Sequence, residues 1–246
     1  MPAQTSSFAD DPARAGVVFV RPGFVWNAAD AYLFDIDGTL LNSRDAVHYF
    51  AFQSALKSVF GIAARIDGVP VHGNTDLGIL RAVLRREGFA DPEIDSRMPQ
   101  MVAEMCAEAE RNREQMQPEV CPSIRELLTL LHGQGKLLGA ASGNLETIGW
   151  LKLEKAGLRS MFAFGSFSFP RELRVDIFRH GIDQARKTLG PDATVCVVGD
   201  TPADIHAARE AGIPVIAVAT GIFKTAELRS EAPDACLTCA TDLLQL

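Results

Sequence analysis

The stretch Ala31-Tyr32-Leu33-Phe34-Asp35-Ile36-Asp37-Gly38 decides the fold. A short apolar run stopped by Asp37-Gly38 has no polar alternation, which is the pattern of a strand covered on both faces, as in a parallel sheet. Downstream of Pro122 the same kind of run recurs between helical segments. Lys136 to Ala141, Phe162 to Phe167, Thr194 to Val198 and Val215 to Val218 read as strands. Helices are predicted over Ser123 to Leu131, Glu146 to Ala156, Val175 to Leu189 and Ala203 to Ala211, with one or two short ones in the tail. Ser123 with Glu126 three residues on has the form of a capping box. Gly157, Gly190 and Gly212 stand where helices close. Strands alternating with helices imply right-handed βαβ crossovers and a doubly wound, Rossmann-like parallel sheet, an α/β fold.

Between the first strand and that alternation, 44–120 reads as an all-helical insert. Phe50, Leu56, Val59 and Phe60 recur at helical spacing, as do Leu77, Leu80, Val83 and Leu84, and Met98 to Gln117 reads as a further helix. The expected division is an α/β core formed by 30–43 and 121–246, a helical cap of 44–120, and an N-terminal extension of 1–29 in which Val17 to Val20 offers an extra strand.

Composition narrows the function classes. Of 246 residues, 47% are hydrophobic and 22% charged, and the net charge is −7. There is enough apolar surface for a packed core, which excludes disorder as the main state. The acidic balance argues against nucleic-acid or anionic-membrane partners. No apolar run reaches the roughly 18 residues of a membrane span. No secretory signal is visible, so a cytoplasmic setting is expected. Five cysteines include the pair Cys236 and Cys239, which lacks the second pair or histidine of a zinc set and reads as ordinary packing.

Ligands of open α/β sheets sit beyond the carboxyl ends of the strands. Three polar clusters fall there: Asp35 with Asp37, Ser142-Gly143-Asn144, and Asp200 with Asp204. Carboxylates converging in a low-dielectric edge repel one another, and a hard divalent cation taking oxygen ligands, usually Mg²⁺, relieves this.

Asp35-Ile36-Asp37-Gly38-Thr39-Leu40 resembles the signature of the haloacid dehalogenase (HAD) superfamily in its phosphatase form. The later motifs follow in the order of that family: Ser142 ending a strand, a basic residue opening a helix, and Gly199-Asp200-Thr201-Pro202-Ala203-Asp204 after an apolar strand. The resemblance spans Tyr32 to Leu244, and it implies a phosphatase acting on a small phosphorylated metabolite, akin to phosphoglycolate phosphatases. By the same resemblance Asp35 is the nucleophile that forms an aspartyl-phosphate, and Asp37 the acid and base. Asp35, Asp200 and the carbonyl of Asp37 hold Mg²⁺. Ser142 and the N–H of Gly143 bind the phosphoryl oxygens, and Asp204 supports the metal shell or orients the cation. The family usually carries Lys in its third motif, and Phe169 to Arg174 has none; Arg174 takes the role, with Arg171 as competitor. The cap sequence Val71-His72-Gly73-Asn74-Thr75-Asp76 resembles the loop that faces the site in relatives. It is either a substrate contact through His72 and Gly73 or a solvated loop with Asp76 opening a helix. Arg81, Arg85 and Arg86 read as a solvated helix face, Asn144 as a helix cap, and the histidines show no ligand spacing.

Rival functions are a phosphomutase of the β-phosphoglucomutase kind and a non-catalytic binding or regulatory module on the same fold. Hinges are expected near Asn42 to Asp45 and near Pro118 to Pro122. Oligomeric state is not encoded in any readable pattern.

Overall fold

The computed structural model describes residues 19–246. Seven strands form one sheet in the order β1-β9-β8-β7-β2-β5-β6. They are β1 (Phe19–Val20), β2 (Ala31–Phe34), β5 (Leu137–Ala141), β6 (Phe164–Ser166), β7 (Val195–Gly199), β8 (Val215–Val218) and β9 (Ala235–Leu237). Strand β2 lies at the centre, parallel to β5 and β7, with Phe34 level with Ala140 on one side and Val198 on the other. All four of its residues are buried. Tyr32 and Phe34 enter the apolar cluster on one face of the sheet, Ala31 and Leu33 the cluster on the other, as a period of two requires. After β6 the chain crosses to β7 on the far side of β2, so the winding reverses at β2. Pairing in this sheet is parallel except between β1 and β9. Phe19 and Val20 thus realise the extra strand; Val17 and Val18 lie outside the described residues.

The insert leaves and returns through an antiparallel ribbon of β3 (Leu41–Ser43) and β4 (Pro118–Val120). Between them lie α1 (Val47–Phe60), α2 (Asp76–Arg86) and α3 (Asp91–Arg111). Gly61 closes α1 in the left-handed region at φ 70, and Thr75 caps α2 by accepting from the Gly78 N–H. The buried stripes of these helices meet in one cluster, which extends onto Leu145, Ile148 and Leu151. The last two belong to α5 (Glu146–Lys155).

Several expectations need correction. Helix α3 begins at Asp91 rather than Met98 and gives way to a 3₁₀ turn, Arg113–Gln115, before Gln117. Pro92 sits in its first turn, where the missing N–H costs nothing, and Pro99 is carried inside because Met98 and Met101 bury the same helix face. Ser123 is not a side-chain cap: at φ 56 its hydroxyl bonds Thr241 instead, and α4 spans Ile124–Gly133. The tail holds the short helices α8 (Thr225–Ser230) and α9 (Ala240–Leu243), with β9 between them, a strand too short for periodicity to expose. The five cysteines are free thiols, and Cys236 is buried within β9.

Candidate active site

Asp35, Ser142 and Asp200 each follow the last residue of one of three adjacent strands, β2, β5 and β7, so the sheet delivers them to one edge. Two helices complete the site, α6 (Arg174–Leu189) and α7 (Pro202–Glu210). Arg174 opens α6 and is buried. Its Nε donates to Asp204 Oδ1 at 2.6 Å, and its Nη2 lies 2.8 Å from Asp35 Oδ2 and 2.6 Å from Asp204 Oδ1. The Nη2 contacts are close but off-line, so charge rather than an aligned hydrogen bond joins it to Asp35. Arg171 has no contact with these carboxylates among the described residues, and Arg174 is the cation that meets Asp35 and Asp204.

Two glycines make room for Asp200. A Cβ at Gly38, where φ is +84, would lie 2.2 Å from Asp200 Oδ2, and one at Gly221 would lie 1.8 Å from it. Thr39 Oγ1 donates to Asp200 Oδ1 at 3.2 Å. Asp204 is fully engaged: Oδ1 takes Arg174, and Oδ2 takes the Thr201 N–H at 3.0 Å and hydroxyl at 2.7 Å. Asp35 Oδ1, by contrast, is buried with no partner.

Carboxylate oxygens of Asp35, Asp200 and Asp204 lie within 4.8 Å of one another. Burial, opposed by Arg174 and reinforced by Asp204 and Asp37, pushes the Asp35 carboxyl up to about 6. Burial and the neighbouring Asp35 and Asp204 raise Asp200 well above the usual carboxylate range. Desolvated like charges with one free oxygen aimed among them fit a hard cation, and the all-oxygen donor set suits Mg²⁺. Because Asp204 is already spent on Arg174 and Thr201, the donors left for such an ion are on Asp35 and Asp200.

Asp37 turns to a different set of partners. Lys152 Nζ donates to its two oxygens at 2.9 and 2.7 Å, and Asn144 Nδ2 donates to Oδ2 at 2.7 Å. The same ammonium donates to Asn144 Oδ1 at 2.9 Å and lies 3.2 Å from His48 Nδ1. His48 Nε2 is 3.1 Å from Asp76 Oδ2, which also accepts the Leu145 N–H at 2.7 Å. Burial works to raise Asp37, yet Lys152 and His48 with these hydrogen bonds hold its carboxyl below the usual range. Sequence reasoning missed Lys152, His48 and Asp76 as members of the site. A signal existed for the first: Ile148, Gly149, Leu151 and Leu153 are buried around α5, so a lysine among them had to find an internal partner. Asn144, expected as a cap, instead bridges Asp37, Lys152 and the Ser142 hydroxyl, which it reaches at 2.7 Å. Leu145 takes the N-cap place of α5, and its N–H is satisfied by Asp76.

The insert rests on this edge through its 73–76 loop. The Asp76 N–H donates to Gly143 O at 2.8 Å, and Thr75 Oγ1 to Glu172 O at 2.6 Å. A Cβ at Gly143 would meet Asn74 O at 2.4 Å, and one at Gly73, φ +75, would meet Ala203 Cβ at 2.7 Å. Both glycines therefore serve close approach of insert to core. His72 is exposed beside them at the cavity. Arg81, expected on a solvated face, is largely buried: it pairs with Glu172 at 2.8 Å and Asp95 at 2.7 Å. A cavity of about 270 Å³ lies between the loop and the strand ends. A larger hollow of about 460 Å³ opens at the opposite sheet edge, among Asp30, Lys136 and Asp192, away from this cluster.

Comparison with known proteins agrees with the geometry. The family model described as haloacid dehalogenase-like hydrolase matches residues 32–218. The phosphoglycolate phosphatase of Synechococcus elongatus is 29% identical over 87% of this chain and 95% of its own. The probable phosphatase IndB of Dickeya dadantii is 30% identical over 82% of this chain and 86% of its own. A haloacid dehalogenase-like family hydrolase of Streptococcus pneumoniae shares the fold at a TM-score of 0.59 and 19% identity, covering 88% of this chain and 97% of that one. No helix among the described residues is long and apolar enough to cross a membrane. With its sheet order, its strand-end carboxylates and a family match running from β2 through β8, the chain belongs to the haloacid dehalogenase-like hydrolases.

Proposed function

We propose that the chain is a Mg²⁺-dependent phosphatase that hydrolyses a small phosphate monoester through an aspartyl-phosphate on Asp35. The observation that carries this reading is the partnerless buried oxygen Asp35 Oδ1, held beside Arg174 at the end of the central strand. One carboxylate oxygen of Asp35 attacks phosphorus while the ester oxygen leaves, and Asp37, in its protonated form, gives the departing oxygen its proton. Water then attacks the same phosphorus and yields its proton to Asp37, releasing inorganic phosphate and restoring Asp35. Arg174, the Ser142 hydroxyl and the Gly143 N–H bind the phosphoryl oxygens, where charge gathers in the transition state. Lys152 and Asn144 keep the Asp37 carboxyl at the cavity. Asp35, Asp200 and the main-chain carbonyl of Asp37 would hold Mg²⁺, which when bound neutralises these carboxylates and the phosphoryl oxygens they face. Asp204 orients Arg174.

The helices of 44–120 act as a cap over the α/β core of 30–43 and 121–246, and the β3–β4 ribbon is where they swing. Closure brings His72, Gly73 and Asp76 over the strand ends and excludes water. The substrate is a small phosphorylated metabolite, and the phosphoglycolate phosphatase relative supports that size class. The test is release of phosphate from an aryl phosphate with and without Mg²⁺, alongside Asp35→Asn. Metal-dependent release lost in the variant is expected; release without metal, or full activity in Asp35→Asn, would overturn the reading. A hexose 1-phosphate converted to its isomer with no free phosphate would assign the site to a phosphomutase.

A further inference from the structure

The cavity over Asp35 has two unlike ends. Its floor is the polar strand-end cluster, while its roof is built by Tyr49, Phe52, Ile66, Val71 and Ile79 from the inserted helices and their loops. At about 30 Å³ per water-sized volume, 270 Å³ holds a phosphoryl group and a short organic body, and that body lies against the roof.

Charge near the roof is already spoken for. Lys152 is held by both oxygens of Asp37, by Asn144 and by His48. His48 is held by Asp76. Arg81 is turned into the Glu172 and Asp95 pairs, and Arg65, behind Tyr49, is paired with Asp67. Around the leaving-group end, Asp37 pairs with Lys152 while Asp76 meets His48 and the Leu145 N–H, so two carboxylates stand against one permanent cation. His72 at the mouth is the lining imidazole with no hydrogen-bond partner among the described residues. Among the described residues, the lining offers a second anion apolar side chains, two carboxylates and the uncharged polar groups of Ser43, Tyr49 and Asn74, with no free guanidinium or ammonium. Burying a charge on those terms is costly.

Resting on the phosphatase reading, we propose that the alcohol released from phosphate is uncharged and largely apolar. The substrates are then small monoesters of neutral alcohols rather than phosphorylated carboxylic acids such as phosphoglycolate, the compound named for a relative of this chain.

The test uses two esters of one length, pentyl phosphate and the same chain ending in a carboxylate, so that leaving-group basicity is matched. The full-length enzyme with Mg²⁺ should show kcat/KM at least about tenfold higher for pentyl phosphate. Val71→Lys, which adds a cation to the roof from a half-exposed loop position, should raise kcat/KM for the carboxylate ester about tenfold. Equal or better turnover of the carboxylate ester by the wild-type enzyme would overturn the inference, above all if His72→Leu abolished that turnover. Binding of both esters to Asp35→Asn, measured by calorimetry, separates the two readings. Preferential binding of pentyl phosphate without hydrolysis by the wild type would sink the phosphatase reading and with it the released alcohol, leaving only the cavity's preference for an uncharged, apolar group. Absence of binding for either ester would sink both.

Discussion

Lys152, buried between Leu151 and Leu153 on α5, closes on both carboxylate oxygens of Asp37 at 2.9 and 2.7 Å. The pair crosses from α5 to the loop after the central strand, and His48 and Asp76 extend it into the inserted helices. The carboxyl group proposed to move protons is thus held by residues of both halves of the molecule.

Removing the ammonium while keeping the volume, as in Lys152→Met, takes away the charge that holds Asp37 low. The Asp37 pKa then rises, so whichever limb of the pH–rate profile Asp37 governs moves to higher pH. The kcat value should fall about 10²-fold, the usual worth of a misplaced proton donor. A profile unchanged in position would mean that Lys152 serves packing alone.

Asp35 carries the opposite shift, raised to about 6. An acid raised in the folded state stabilises it below the unfolded pKa, and that stability is lost as pH climbs through about 6. Asp200, also raised, acts in the same sense. Mg²⁺ needs these groups ionised. Its effect on Tm should therefore be larger at about pH 7.5 than at about pH 5, and should shrink in Asp35→Asn. Thermal scans at the two pH values check this; equal metal effects would contradict it.

Gly221→Ala places a Cβ 1.8 Å from Asp200 Oδ2. The carboxylate must move, and the Mg²⁺ concentration for half-maximal activity should rise about tenfold or more. A metal titration reads this directly, and an unaltered midpoint would remove Asp200 from the donor set.

Gly143→Ala sets a methyl group 2.4 Å from Asn74 O, a backbone atom that cannot swing aside. The 73–76 loop should lift from the strand end, loosening the Asp76 bonds to Gly143 and Leu145. Stability should drop by about 1–3 kcal/mol and KM should rise. Denaturation and steady-state kinetics on the same sample check both.

The sequence made the sheet and its carboxyl edge legible because a strand buried on both faces leaves an unbroken apolar run. Ala31 to Phe34 and Val195 to Gly199 show this, and each ends at an aspartate. What stayed hidden depended on contacts distant in the chain. Asp37 and Lys152 are 115 positions apart, and Asp76 meets Leu145 across 69. Ser123 looked like a cap because a local pattern cannot show that Thr241 will claim its hydroxyl. Arg81 looked solvated because its partner Glu172 comes from beyond the insert. Glycines 73 and 143 read equally well as ligand contacts, and only the packed loop shows what their missing side chains admit.

The central claim is that Asp35 itself takes the phosphoryl group. Rapid acid quenching of a single turnover, followed by peptide mass analysis, tests it most directly. The account predicts phosphate on the peptide carrying Asp35 at early times, vanishing as free phosphate appears, and no such adduct in Asp35→Asn. Free phosphate released at the wild-type rate with the Asp35 peptide never modified would contradict it.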